Sequence, residues 1–364
     1  MLIALLASSW ASPELELAER VEVERIEASI RALTGEVDVD GQGPFTSRNI
    51  HHPDMPRVED WLEAELAQWG EVQREDFRAE RQDVANLVFT LAGSDPSLEP
   101  VLLGAHYDST ANLEEGWRAT QDPAPGADDN ASGAAVLIEV ARVLSSWEGG
   151  FERPVHIVAF SAEEQGLLGS IHHVEQLDGG VHLALILDPV GHNPGGADWL
   201  FGTYDARWEQ PARDIEATAE QLDQSLQVGL IDHETVGGDE RSDHAPFWWA
   251  ELPALHLGVY PVDGVYHTTA DAYEVVDVDF VAQIAALSVA EVARLAGPLE
   301  PAEEPPGGCD SAARSPLALS PMALAGLLLA AFALRLRAQS SSPSSSRTRP
   351  VPADRNSTRS PLRH

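Results

Sequence analysis

Imidazoles and carboxylates gather at a few points of this chain: His106-Tyr107-Asp108, Asp128-Asp129 within the turn-rich run PGADDNASG, Glu163-Glu164 within FSAEEQGLLGS, Asp188, and His267 within YHTTAD. Nitrogen and oxygen donors of this kind suit zinc, which keeps an open coordination position where it is catalytic. A carboxylate lying beside such an ion without binding it can serve as a general base toward water. Taken alone, an adjacent Glu-Glu pair reads as two surface glutamates at a helix start, favoured by the helix dipole. The accompanying clusters argue instead for chemistry. The sequence offers no Gly-x-Ser-x-Gly elbow and no phosphate-binding glycine loop, and its lone cysteine, Cys309, stands in a linker rather than near a histidine.

Groups so far apart in sequence can act together only if regular elements deliver them to one place. Helical periodicity covers 14–33, 57–68, 131–146, 165–177, 206–222 and 279–295, and strand patterns cover 85–91, 101–106, 155–160, 183–187 and 254–257. The runs at 101–103, 155–160 and 183–187 barely alternate, as expected of strands covered on both faces. Each leads directly into one of the donor clusters. In open α/β sheets, ligands collect at the carboxyl ends of the central strands, so this order predicts an α/β layer fold with the site at that edge.

At 364 residues there is room for one large body with appendages. The formal charge of −36 conceals a basic tail, because eight Arg face two Asp from residue 310 onward; removing that +6 leaves −42 for residues 1–309. So acidic a body repels nucleic acid and anionic membrane surfaces, and more weakly favours cationic ligands such as peptides with a free ammonium terminus. Surface acidity more commonly serves solubility.

The motifs AHYDS, PGADDNASG, FSAEEQGLLGS, LILD, RSDHAPF and YHTTAD, in this order between residues 86 and 296, resemble the co-catalytic zinc aminopeptidases of the bacterial leucyl aminopeptidase type. The resemblance implies a single three-layer α/β domain over 12–298, with a mixed, centrally parallel β-sheet flanked by helices. It implies two zinc ions, one on His106 and Asp188, the other on Glu164 and His267, with Asp128 bridging both. It implies Glu163 as the general base, and Asp108 as acceptor of the second N–H of His106. A cis peptide between Asp128 and Asp129 belongs to the same expectation, with Ser132 and Gly133 serving helix entry. The activity implied is removal of N-terminal residues from peptides, and a monomer is expected. A glutaminyl cyclase on the same scaffold and a catalytically silent binding module stand as alternatives. The histidines at 51, 52, 156, 172, 173, 182, 192, 233 and 256 match no motif and read as surface or core residues, Trp248 and Trp249 as core or pocket wall, and Asp243-His244 as a capped helix start or a substrate contact.

The two ends predict export. Residues 1–11 form an apolar run closing on small residues, as in a signal peptide, although without a positive start. A Pro/Glu/Gly-rich linker over 299–316 precedes an uncharged stretch, 317–334, that can just span a bilayer, and Arg335 and Arg337 follow at once, which orients the body outward. Cys309, the span and the arginines together resemble bacterial C-terminal sorting tags, except that a disordered Ser/Pro/Arg-rich tail continues over 335–364.

Overall fold

A computed structural model describes residues 12–260 and 264–301. The signal-peptide reading of 1–11, Cys309, the span at 317–334 and the tail lie outside the described residues. Among those described, no helix is long and apolar enough to cross a membrane. Contacts divide the chain after Glu303, and everything described belongs to the first unit.

The apolar runs form strands as the sequence predicts: β2 (Gln82–Leu91), β3 (Val101–His106), β4 (Val155–Phe160), β5 (Leu183–Leu187) and β8 (Ala254–Gly258). Three further strands, β1 (Glu71–Ala79), β6 (Trp199–Tyr204) and β7 (Gln227–Asp232), complete one sheet of order β1-β2-β4-β3-β5-β8-β6-β7. The four central strands β4, β3, β5 and β8 run parallel, and antiparallel partners flank them. The fold is thus the expected mixed, centrally parallel α/β sheet. Strands β1 and β7 escape a sequence reading because, at the sheet's two edges, most of their side chains stay partly in water and the hydrophobic period fades.

Helices cover both faces. On one side lie α1 (Pro13–Ala18), α2 (Val23–Leu33), α3 (Met55–Ala67), α4 (Ser132–Ser145), α6 (Glu209–Gln221) and α8 (Val278–Ala296), whose apolar residues pack into the main core. On the other, α5 (Leu168–Gln176) and α7 (Ala245–Trp249) flank a smaller core around Val158, Phe160, Ile186 and Phe247. Helices α4 and α8 are buried along most of their length, and each large apolar side chain placed there contributes about 1.5–3 kcal/mol. The predicted helix at 14–33 is in fact two. Glu139 of α4 accepts the Glu22 N–H at 2.7 Å and Arg142 donates to the Arg20 carbonyl, so tertiary partners take up these two main-chain groups at the break.

Candidate metal centre

Register delivers the first donors to one level. His106 pairs with Phe160 across β3 and β4, and Gly104 pairs with Ile186 across β3 and β5, so His106 and Asp188 leave the sheet side by side. Their groups meet: His106 Nε2 lies 3.2 Å from Asp188 Oδ1. Just past β4, Glu163 and Glu164 occupy a tight turn in which Ala162 and Leu167 are held at positive φ. His267 comes from the loop between β8 and α8, itself at a φ of 56°, with the Tyr266 ring stacked on it at 3.7 Å.

The carboxylate at the centre is that of Asp129, not of the expected Asp128. One oxygen of Asp129 lies 3.1 Å from His106 Nε2, and the other lies 3.0 Å from His267 Nε2, which in turn is 3.1 Å from Glu164 Oε2. Two triads result, His106–Asp129–Asp188 and Asp129–Glu164–His267, sharing one side chain. Asp128 points elsewhere: its Oδ1 accepts the N–H groups of Gly191 at 2.7 Å and His192 at 2.9 Å, tying this loop to the one that follows Asp188. The cis peptide is displaced in the same direction, to Asp129–Asn130. The physical reason is the irregular path of 127–131, where Asp129 and Asn130 depart from helical geometry and successive carboxylates leave the backbone in different directions.

Asp108 also differs from expectation in detail. Its carboxylate accepts the N–H groups of Glu163 at 3.1 Å and Glu164 at 3.2 Å, whereas His106 Nδ1 sits 3.2 Å from the Asp108 carbonyl oxygen and 3.6 Å from its Oδ1. The residue therefore braces the Glu163-Glu164 turn, and its main chain faces the imidazole. Ser132 and Gly133 serve helix entry: Ser132 Oγ donates to the Asp128 carbonyl at 2.7 Å, and Gly133 N donates to Asn130 Oδ1 at 2.9 Å. A Cβ at Gly133 would stand 2.4 Å from that oxygen, which only glycine avoids.

Several supporting residues were not singled out by the sequence reading. Asp271 accepts the main-chain N–H groups of Asp128 at 2.8 Å and Asp129 at 3.1 Å; it ends the YHTTAD motif, so a signal for it existed. His256, one of the histidines that match no motif, faces the Asp188 carbonyl through Nε2 at 2.7 Å and Asp239 through Nδ1 at 2.9 Å. Asp243 and His244 are fully buried, with the imidazole against the Asp239 carbonyl; Trp248 is core, and Trp249 is exposed.

Electrostatics favours cations here. Burial raises the carboxyls of Glu163 and Glu164 well above their ordinary range, and Asp188 adds repulsion to both. Burial would likewise push the His106 imidazole down, but Asp188, Glu163, Asp108 and Asp129 outweigh it and hold the group well above its usual value. Asp129 escapes its burial through hydrogen bonds from the two imidazoles and stays well below the usual carboxylate range. Such crowding of like charges in a water-poor site is relieved by divalent ions. The donors fit zinc in kind and spacing: tetrahedral bonds of about 2.0–2.1 Å place neighbouring ligand atoms roughly 3.3 Å apart, close to the separations found. Glu164 also keeps Oε1 buried and unpartnered.

Comparison with known proteins agrees. The model of Peptidase family M28 matches residues 86–292. Over 185 residues the chain is 32% identical to aminopeptidase YwaD of Bacillus subtilis, a match covering 48% of this chain and 36% of that relative. It is 27% identical over 293 residues to the glutaminyl-peptide cyclotransferase-like protein of Mus musculus, covering 67% and 73% of the two chains. The crystal structure of LapA aminopeptidase from Legionella pneumophila shares the fold, with a TM-score of 0.66 at 20% identity over 79% of this chain and 75% of that one. With more than half of its length matched by the family model and with zinc-type donors converging at the strand ends, the chain belongs to peptidase family M28 and is a zinc-dependent peptidase.

Proposed function

We propose that the enzyme is a two-zinc aminopeptidase that removes residues from the free N-terminus of peptides. The observation that carries this reading is the placement of Asp129, whose two carboxylate oxygens face two different triads. His106, Asp129 and Asp188 would hold one ion, and Asp129, Glu164 and His267 the other. When bound, such a pair polarises a carbonyl and lowers the pKa of water toward neutrality. Glu163, whose Oε2 lies 4.0 Å from His106 Nε2, stands beside the first triad and is the general base. It takes the proton released as water oxygen bonds to the scissile carbonyl carbon, and returns it to the amine as the C–N bond breaks. Asp108 keeps that base in place through the two N–H groups it accepts.

Elemental analysis of the purified protein is expected to give close to two zinc per chain. Stripping with a chelator should abolish hydrolysis of aminoacyl anilides and lower the melting temperature, since ions that bind only the folded state stabilise it by mass action. One zinc or less per active chain would overturn the two-ion reading. The similarity to a cyclotransferase-like protein sets up a second test. Peptides beginning with Gln should be shortened by one residue, with free glutamine as product. Ammonia release at constant chain length would instead make the enzyme a cyclase. The apolar segments at 1–11 and 317–334 support the further proposal that the body works outside the cytoplasm, anchored or processed at its C-terminal side.

A further inference from the structure

Arg48 lies in the segment between α2 and α3, far in sequence from every donor of the centre, and is fully buried. Its guanidinium forms no ion pair with any described carboxylate, yet its N–H groups are occupied by main-chain carbonyls. Nε donates to Tyr107 O at 2.7 Å, Nη2 donates to Gly126 O at 2.8 Å, and Nη1 donates to Leu33 O at 3.0 Å and to Pro125 O. Tyr107 stands between His106 and Asp108, and Gly126 is three residues before Asp129. The guanidinium fork therefore bridges the two loops that carry the paired donors His106 and Asp129.

Neighbouring residues repeat the stitch. Asn49 Nδ2 donates to Ser109 O at 3.0 Å, Ser109 Oγ donates to Ala124 O at 2.8 Å, and Ser47 bridges to Ala124. Gly126, at a φ of 53°, leaves space for the guanidinium, because a Cβ there would lie 3.0 Å from Nη2 and 2.4 Å from the Asp129 carbonyl. A buried cation is costly unless hydrogen bonds and nearby charge compensate it. The carboxylates that attract it are Asp271, Asp108, Asp129 and Glu164, which belong to the centre or brace it, while burial pushes its pKa down to about 10. Lysine could supply the charge but not the planar fork that reaches several carbonyls at once.

We infer that Arg48 is a positioning residue that sets the spacing between the His106 and Asp129 donors, and so controls how tightly and in what geometry the centre holds its ions. The inference rests on the metal-centre reading above. It is tested on the full-length protein with Arg48→Lys, through zinc affinity measured by competition with a chromophoric chelator and through the visible absorption spectrum after cobalt loading. Zinc binding is expected to weaken by about 10–100-fold, the scale of losing an outer-shell partner, with a shifted cobalt spectrum and a kcat that falls more than KM rises. A folded Arg48→Lys protein with wild-type zinc affinity and an unchanged cobalt spectrum would overturn the inference.

Arg48→Gly, refolded with millimolar guanidinium as a small replacement cation, covers the case in which the lysine protein does not fold. Zinc affinity should then rise with guanidinium concentration. Recovery of the fold without recovery of zinc affinity counts against the inference. If the wild-type protein itself takes up no zinc, it is the metal-centre reading that fails.

Discussion

Replacing Asp129 by Asn should empty the centre, whereas the same change at Asp128 should leave most of it standing. Asp129 belongs to both triads, so on the two-ion proposal the amide removes a negative ligand from each site at once. The loss of zinc affinity is expected to exceed the roughly 10–100-fold cost of removing an outer-shell partner, and peptide hydrolysis should vanish with the metal. The Asp128 side chain accepts the N–H groups of Gly191 and His192, an arrangement an asparagine oxygen can partly reproduce. Asp128→Asn should therefore stay within that 10–100-fold range and keep measurable turnover. Zinc content and kcat/KM of the two purified proteins decide the matter. If Asp128→Asn loses the metal and Asp129→Asn retains it, the bridging role belongs to Asp128 after all.

Glu163→Gln should behave in the opposite manner, keeping its ions and losing its chemistry. The side chain stands at the edge of the triads and belongs to neither. An amide of the same shape cannot accept the proton of water, and loss of a general base costs about 10²–10⁴-fold in kcat. At about 1.4 kcal/mol per factor of ten, this amounts to roughly 3–5 kcal/mol of lost transition-state stabilisation. Zinc stoichiometry and KM should change little. More than a tenth of wild-type turnover in a preparation free of wild-type enzyme would remove Glu163 from the mechanism.

Much of this centre was legible because strands buried on both faces announce themselves as unbroken apolar runs, and the residues that follow them must emerge at one edge. That logic alone brings His106, Glu163, Glu164 and Asp188 together. It fails at PGADDNASG for a definite reason. Two aspartates in succession are equivalent by composition, and only the backbone path through 127–131 decides which one faces His106 and His267. Asp271 and Arg48 are harder still. They act on main-chain N–H and carbonyl groups, which every residue possesses, so their partners leave no trace in side-chain types. Strand β7 was hidden by partial exposure, and with it the approach to Asp239, which faces His256 behind Asp188.

The left-handed backbone at His267 has a consequence for the apoprotein. A non-glycine residue in that conformation costs on the order of 1–3 kcal/mol and persists only where its surroundings enforce it. Part of that enforcement is electrostatic, from Asp129 and Glu164, and the rest is the grip of neighbours such as Glu114, which accepts the Thr269 N–H at 2.9 Å. Of the two half-sites, the one completed by His267 is therefore the more easily undone. Its ion should leave first under mild chelation, with a singly loaded enzyme as the species that accumulates.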